Sequence, residues 1–354
     1  MIKIELNDSI LQKHLAYCKG TESAASKNRI PLYSILVRSI EHCNDADLKE
    51  ILAFLLKNFD TLVVGDPLQL DKLREKVTTK ITSTILKEEQ PKLQAKRKKA
   101  IHKTLEGIFV KEYDRFTDRN VKDSSLWWAY TFVQNINISV CPYCNSQFIF
   151  TYLNDTGRTR PVLDHFFCKS EYPFLAISIY NLIPCCKVCN SDFKGSTKVD
   201  LNNYITPYID EFEGKVSFKR EVIIKKKTKK ETNDYFSAIT GGSDDFKIKL
   251  DFTALPKQLV EQYKNQAKLF HIEEIYAFHK NYIKELITKS RVYSDIYTNQ
   301  VKSSYGKLFQ NDDDLRQILI PREDQLNNII LAKLTRDIVN NELSNNKKIN
   351  YKKS

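Results

Sequence analysis

Between Cys141 and Gly195 the sequence gathers residue types that can hold a metal and act on a phosphate ester. Two C-x-x-C pairs, Cys141/Cys144 and Cys186/Cys189, bracket the dipeptide Asp164-His165 and Asn181, and Asn190 follows the last cysteine. Each C-x-x-C forms a tight knuckle whose two sulfurs converge on one point. Two knuckles complete a tetrahedral four-sulfur site, which suits Zn²⁺ and leaves no open position, so the expected zinc is structural. A thioredoxin-like redox pair is the alternative for either knuckle alone; two pairs favour metal. Cys185 competes with Cys186, but only Cys186 keeps the spacing to Cys189.

The stretch between the knuckles carries the reactive groups. Asp164 and His165 are neighbours, so on an extended strand their side chains face opposite ways. Asp164 and the amide oxygen of Asn190, completed by water and phosphate, make an oxygen-rich site for Mg²⁺ or Mn²⁺. Phosphodiester hydrolysis needs a deprotonated water, offset charge on the phosphoryl oxygens and a stabilised leaving oxygen. His165 titrates near neutrality by type and is the candidate general base. A metal on Asp164 and Asn190 can meet the other two needs as a Lewis acid. Asn181 is the candidate for fixing the His165 ring or bracing the loop behind it.

This order of residues resembles the HNH nucleases, a ββα-metal module, here embedded in a zinc knuckle and with Asn190 where the family often has histidine. The resemblance implies Asp164 as metal ligand, His165 as base, Asn181 as the middle asparagine and Lys194 near the scissile phosphate. It also implies DNA as substrate, with 3′-hydroxyl and 5′-phosphate products. Cys168, in Phe167-Cys168-Lys169-Ser170, stands where relatives tend to have proline and is not expected to bind metal. Stand-alone proteins of this architecture look like effectors of bacterial anti-phage systems, including Septu-like systems in which an ATPase partner controls the nuclease. No G-x-x-x-x-G-K-[ST] loop is present, so the chain shows no motor of its own. Two other readings are a zinc-dependent nucleic-acid-binding protein without catalysis and an RNA-cleaving toxin.

The elements that must position these residues are mainly helical. The expected fold class is α+β: residues 1–125 a helical region, 126–200 the zinc-bound ββα module, 201–339 a basic β-hairpin followed by helices, and 340–354 a flexible tail. Asn44 or Asp45 can cap a helix with a stripe of Leu48, Ile51, Leu52, Leu55, Leu56 and Phe59. Asp66-Pro67 reads as an N-cap with proline in the first turn of a helix carrying Leu70, Leu73, Val77 and Ile81. The stretch from Lys92 to Lys103 holds Lys96, Arg97, Lys98 and Lys99 with few acids, either a phosphate-contacting surface or a solvated helix face. Trp127, Trp128, Tyr130 and Phe132 read as packing rather than as stacking platforms for bases. After the module, Val216, Phe218, Val222 and Ile224 alternate as in a strand, as do Phe246, Ile248 and Leu250. The tract Lys225–Lys230 sits between them. Helical period returns with Leu259, Tyr263, Ile275, Tyr276, Phe278, Ile283, Leu286 and Ile287, and Pro321 is expected to open a last helix with Leu326, Ile329, Ile330, Leu334 and Ile338.

The whole chain supports this frame. At 354 residues, 42% hydrophobic and with 18 Tyr and 19 Phe, it can bury a sizeable core. Its net charge of +12 suits a polyanionic partner. There is no apolar run of the roughly 18 residues that a transmembrane helix needs, and the first residues lack a secretory pattern. The expected compartment is the cytoplasm, where eight cysteines serve metal sites better than disulfides.

Overall fold

Capping side chains and apolar stripes place the first helices where the sequence puts them. In the computed structural model, which describes residues 1–21, 29–119, 126–154, 156–223, 235–293, 295–306 and 320–350, Asp45 caps α3 (Ala46–Lys57) by accepting from the Leu48 amide at 3.1 Å. Asp66 and Gln69 form a reciprocal capping box at the start of α5 (Pro67–Ile85), with Pro67 in its first turn. The α5 stripe is buried, as are Ile51, Leu52 and Leu55 of α3, while Leu48 and Leu56 are half-buried. Phe59, expected on the α3 stripe, instead opens the next short helix, α4 (Phe59–Val64), because Asn58 closes α3. The architecture is α+β: helices with small two-stranded antiparallel sheets. No helix among the described residues is long and apolar enough to cross a membrane.

The chain divides into two compact units. One comprises Lys3–Ile138 and Ile149–Asp210; the other comprises Met1–Ile2, Ser139–Phe148 and Glu211–Ser354. The first unit opens with α1 (Asp8–Lys19) and α2 (Leu32–Glu41). It continues past α5 with α6 (Pro91–Leu105), α7 (Lys111–Phe116) and α8 (Ala129–Ile136). Trp127, Trp128, Tyr130 and Phe132 are buried, as packing residues should be. Then come β1 (Tyr152–Leu153) with β2 (Arg158–Thr159), and β3 (Val162–His165) with β4 (Leu182–Cys185), each pair antiparallel. A π-helical segment, Val188–Lys194, follows β4.

In the second unit β5 (Ser217–Val222) pairs antiparallel with β6 (Phe246–Asp251), from Ser217↔Asp251 to Val222↔Phe246. Their connection is longer than a tight hairpin turn, since it includes α9 (Tyr235–Thr240). Ile224 and the basic tract Lys225–Lys230 lie outside the described residues. Helices α10 (Val260–Leu269), α11 (Ile272–Ala277), α12 (Lys280–Val292) and α13 (Asp295–Tyr305) follow, and α14 (Ala332–Asn350) packs against α12 and β5. Two expectations need correction. Phe278, assigned to an apolar face, is 90% exposed at the C-terminal end of α11. Of the stretch 340–354, expected to fray, residues 340–350 continue α14, where Glu342 is buried and paired with Arg220 at 2.7 Å, and residues 351–354 lie outside the described residues.

Pro321 does not open the last helix; α14 begins at Ala332. The cause is Asn145, the residue after the first knuckle. Its side-chain amide donates to the carbonyls of Leu326 (3.1 Å) and Ile329 (3.4 Å), and its main-chain carbonyl accepts from the Leu331 amide (2.7 Å). Its side-chain oxygen accepts from the Lys333 amide. Groups that a helix starting at Pro321 would pair internally are thus committed to Asn145, and Leu331 takes a left-handed φ of 57°. Leu326 and Ala332 pack with Ile2 and Val140 below this crossing.

Asn145 is itself buried with φ 51°, a conformation asparagine tolerates better than most residues. Asn145→Ala removes about three side-chain hydrogen bonds and strains the turn. At about 1 kcal/mol per bond, the expected loss is roughly 2–4 kcal/mol. A lower denaturant midpoint at unchanged slope would register it; an unchanged midpoint would contradict this role.

Candidate active site and metal centre

The short strand pair holds the adjacent acid and imidazole in place. Asp164 lies opposite Ile183 and His165 opposite Leu182, so both sit in the paired part of β3. Both are almost wholly buried, Asp164 at 3% and His165 at 7% exposure. Apolar neighbours on β4 and the Tyr208 hydroxyl, which donates to the Leu182 carbonyl at 2.5 Å, hold the pair from behind.

The His165 ring is fixed by a backbone group rather than by Asn181. Its Nε2 lies 2.9 Å from the Ala176 carbonyl, which can only accept, so Nε2 carries the proton and donates. The lone pair is then on Nδ1, which has no hydrogen-bonding partner among the described residues. Burial, with Lys169 and Lys194 nearby, lowers the imidazole pKa from 6.5 to about 3, so the ring is neutral across the physiological range. Tyr113 of α7 packs T-shaped against it, ring centroids 4.5 Å apart. Burial pushes that phenol up to about 12, so it stays protonated.

Asn181 takes the second of its two expected roles. It accepts from the Phe167 amide at 2.7 Å and donates to the carbonyls of Phe167 and Leu175 at 3.1 and 3.0 Å. It therefore splints the loop after β3 to the loop before β4. Lys194 ends the π-helical segment with its side chain turned inward. It donates to Asp164 Oδ1 at 2.9 Å and to the His165 carbonyl at 2.5 Å, and is 3% exposed. Asn190, third in that segment, is partly exposed. Its amide nitrogen lies 3.4 Å from the Ser191 hydroxyl, and it makes no hydrogen bond to Asp164 or His165 among the described residues.

Two groups that position the base left no mark in the sequence. The first is the Ala176 carbonyl. The second is His14 of α1, whose Nε2 donates to the next carbonyl, Ile177, at 2.8 Å. Trp127 donates from its indole nitrogen to His14 Nδ1 at 3.2 Å, which fixes that tautomer. Neither His14 nor Trp127 stands near Asp164-His165 in the chain, so only the fold reveals them.

Four buried cysteines, Cys141, Cys144, Cys186 and Cys189, bring their sulfurs within 4.8 Å of one another. A tetrahedral ion with bonds of about 2.3 Å sets sulfurs about 3.8 Å apart, so the cluster fits a metal such as zinc. Cys185 and Cys168 are not part of it. Cys185 is buried on β4, and burial pushes its thiol above the usual range. Cys168 lies beside the Ser170 hydroxyl at 3.1 Å.

No family model and no solved structure matches the chain. Protein ea31 of Escherichia phage lambda is 28% identical over 102 residues, covering 27% of this chain. The chain spans 31% of that curated relative's length.

Two outcomes are expected. Purified protein carries one tightly held zinc per chain by elemental analysis; Cys186→Ser loses it and lowers the melting temperature, whereas Cys185→Ser keeps it. The second concerns His14, whose pKa burial lowers from 6.5 to about 4. Between those values the unfolded chain takes up a proton that the folded chain does not, so stability is lost as pH falls from 6.5 to 4. At 1.36 kcal/mol per unit the loss is roughly 3 kcal/mol. His14→Asn should flatten the stability–pH slope in that window by about one proton, and an unchanged slope would show that His14 does not titrate as described.

Proposed function

We propose that this chain is a metal-dependent HNH-type nuclease that hydrolyses phosphodiester bonds in DNA. The observation that carries the reading is the pairing on β3. A buried carboxylate adjoins a neutral imidazole tethered at Nε2 to the Ala176 carbonyl, on a strand–strand–helix frame whose last residue, Lys194, grips Asp164. A fixed tautomer with its lone pair on Nδ1 is one requirement of a general base.

In this mechanism His165 Nδ1 removes a proton from a water. The water oxygen bonds to phosphorus as the bond from phosphorus to the 3′-oxygen breaks. That oxygen leaves with a proton from solvent, giving 3′-hydroxyl and 5′-phosphate ends. Asp164 and Asn190 supply hard oxygen donors of the kind that Mg²⁺ or Mn²⁺ takes. Such an ion, when bound, supplies Lewis-acid offset of phosphoryl charge. Asp164 and Asn190 would hold such an ion, and Lys194 keeps the Asp164 carboxylate oriented. Asn181 braces the loop that follows the strand carrying the base. Tyr113 keeps bulk water off one side of the ring. The four cysteines hold a structural zinc. By resemblance to Septu-like effectors, the nuclease serves anti-phage defence in the cytoplasm under control of an ATPase partner.

The test is nicking of supercoiled plasmid in Mg²⁺ or Mn²⁺. Wild type should cleave, and His165→Ala should be slower by about 10²–10⁴-fold, the usual worth of a general base. Equal cleavage by both would remove the base assignment, and cleavage of total RNA alone would remove the DNA reading. Because the folded His165 pKa lies well below 6.5, the base form persists as pH drops, and the acid limb of kcat/KM should lie below pH 6.5. A limb at or above 6.5 would point to another base.

A further inference from the structure

Helix α6 carries Lys92, Lys96, Arg97, Lys98, Lys99 and Lys103 and no acidic residue. Its buried face is Ile101 and Leu105. The fold sorts the cations. Arg97 is drawn to the capping residue Asp45, whose Oδ1 it reaches at 2.7 Å, and Lys98 lies 3.9 Å from Glu171. The other four, Lys92, Lys96, Lys99 and Lys103, recur at intervals of four, three and four residues. At 3.6 residues per turn these fall in one narrow stripe, on the side of the helix away from Ile101 and Leu105. All four are exposed, and none is ion-paired among the described residues. Like charges spaced this way destabilise an isolated helix by about 0.2–0.5 kcal/mol per pair, so a partner of opposite charge would relieve a standing repulsion.

We propose that the Lys92–Lys96–Lys99–Lys103 stripe is a docking surface for the phosphate backbone of a DNA duplex. This rests on the nuclease reading and deepens it. The stripe runs over twelve residues, eleven steps of about 1.5 Å or about 16 Å, which is nearly five base pairs at about 3.4 Å rise. It belongs to the same unit as Asp164 and His165. The flank of α6 also reaches the turn after β3: Glu171, approached by Lys98, accepts from Lys198 at 2.8 Å, and Lys169 in that turn acts on the His165 ring. The flank of α6 therefore meets the turn that carries Lys169, with Glu171 as the acid between the two lysines Lys98 and Lys198. Lysines at this spacing present point charges to a backbone and read no base edges, so the stripe sets register and affinity without sequence preference.

The experiment measures binding of a labelled duplex to the full chain in the His165→Ala background across a salt series. A variant with Lys92, Lys96, Lys99 and Lys103 all changed to Gln should bind at least about tenfold more weakly near 0.1 M salt. The slope of log affinity against log salt should become shallower by about 3 to 4, one counterion per lost contact. The control changes Lys49, Lys57, Lys72 and Lys76 to Gln, equally exposed lysines of the same unit and the same total charge; it should stay within about threefold of the parent. Circular dichroism should match in all three. Equal loss in both variants would show that net charge alone acts, and no loss in either would show that DNA docks elsewhere; each overturns the stripe while leaving the nuclease reading intact. Absence of duplex binding by the parent would overturn both.

Discussion

Three consecutive buried carbonyls, those of Leu175, Ala176 and Ile177, each accept from a distant side chain. Asn181, His165 and His14 are the donors, at 3.0, 2.9 and 2.8 Å. The Leu175 carbonyl also accepts from the Ser178 amide at 3.2 Å, but for a buried carbonyl without such a main-chain partner an unmade bond costs its full desolvation. The need runs both ways. The loop is held because three side chains donate to it, and the imidazole has one orientation and one tautomer because the loop offers it one acceptor. Trp127 sets the tautomer of His14 in turn, so an indole on one side of the unit bears on the geometry of the ring on the other. Mutual satisfaction of this kind replaces regular secondary structure around His165, where β3 and β4 supply only four residues each.

Charge in the same region is arranged for orientation more than for stability. Asp164 and Lys194 are both nearly excluded from water, and an ion pair in such a place gains little over an apolar pair of the same shape. What it does provide is a carboxylate with one direction. Lys333 in the second unit shows the same device with a different end. Buried, and 2.8 Å from Asp337 and 3.2 Å from Glu213, it ties the start of α14 to the chain before β5. The Asp337 carboxylate then accepts from the Phe218 amide at 2.8 Å.

Local signals in the sequence proved legible where the chemistry is local. Asp45 and Asp66 cap helices because their side chains reach amides three residues on. The cysteine spacing foretold a cluster of four, and the choice of Cys186 over Cys185 followed from it. The antiparallel partnership of the 217–222 and 246–251 segments was visible in their alternation. What escaped was long-range and polar. Asn145 governs a crossing more than 180 residues away, and His14 lies 163 residues from the carbonyl it holds. Hydrogen bonds between distant positions leave no period, so the apolar pattern after Pro321 suggested a helix that Asn145 prevents. Phe278 likewise fits a stripe by type but faces water, because α11 ends before it.

The segment after β4 closes with the Gly195 amide donating to the Asn190 carbonyl five residues back, one residue wider than an α-helical turn. Such widened turns arise where a helix has accommodated an extra residue. Here the surplus residue swings the ammonium of Lys194 onto Asp164. Chain length between Asn190 and Gly195 is therefore as binding a constraint as residue type. Deleting Ser191, Asp192 or Phe193 would contract the spiral and rotate the cation off its carboxylate, whatever residue types remain.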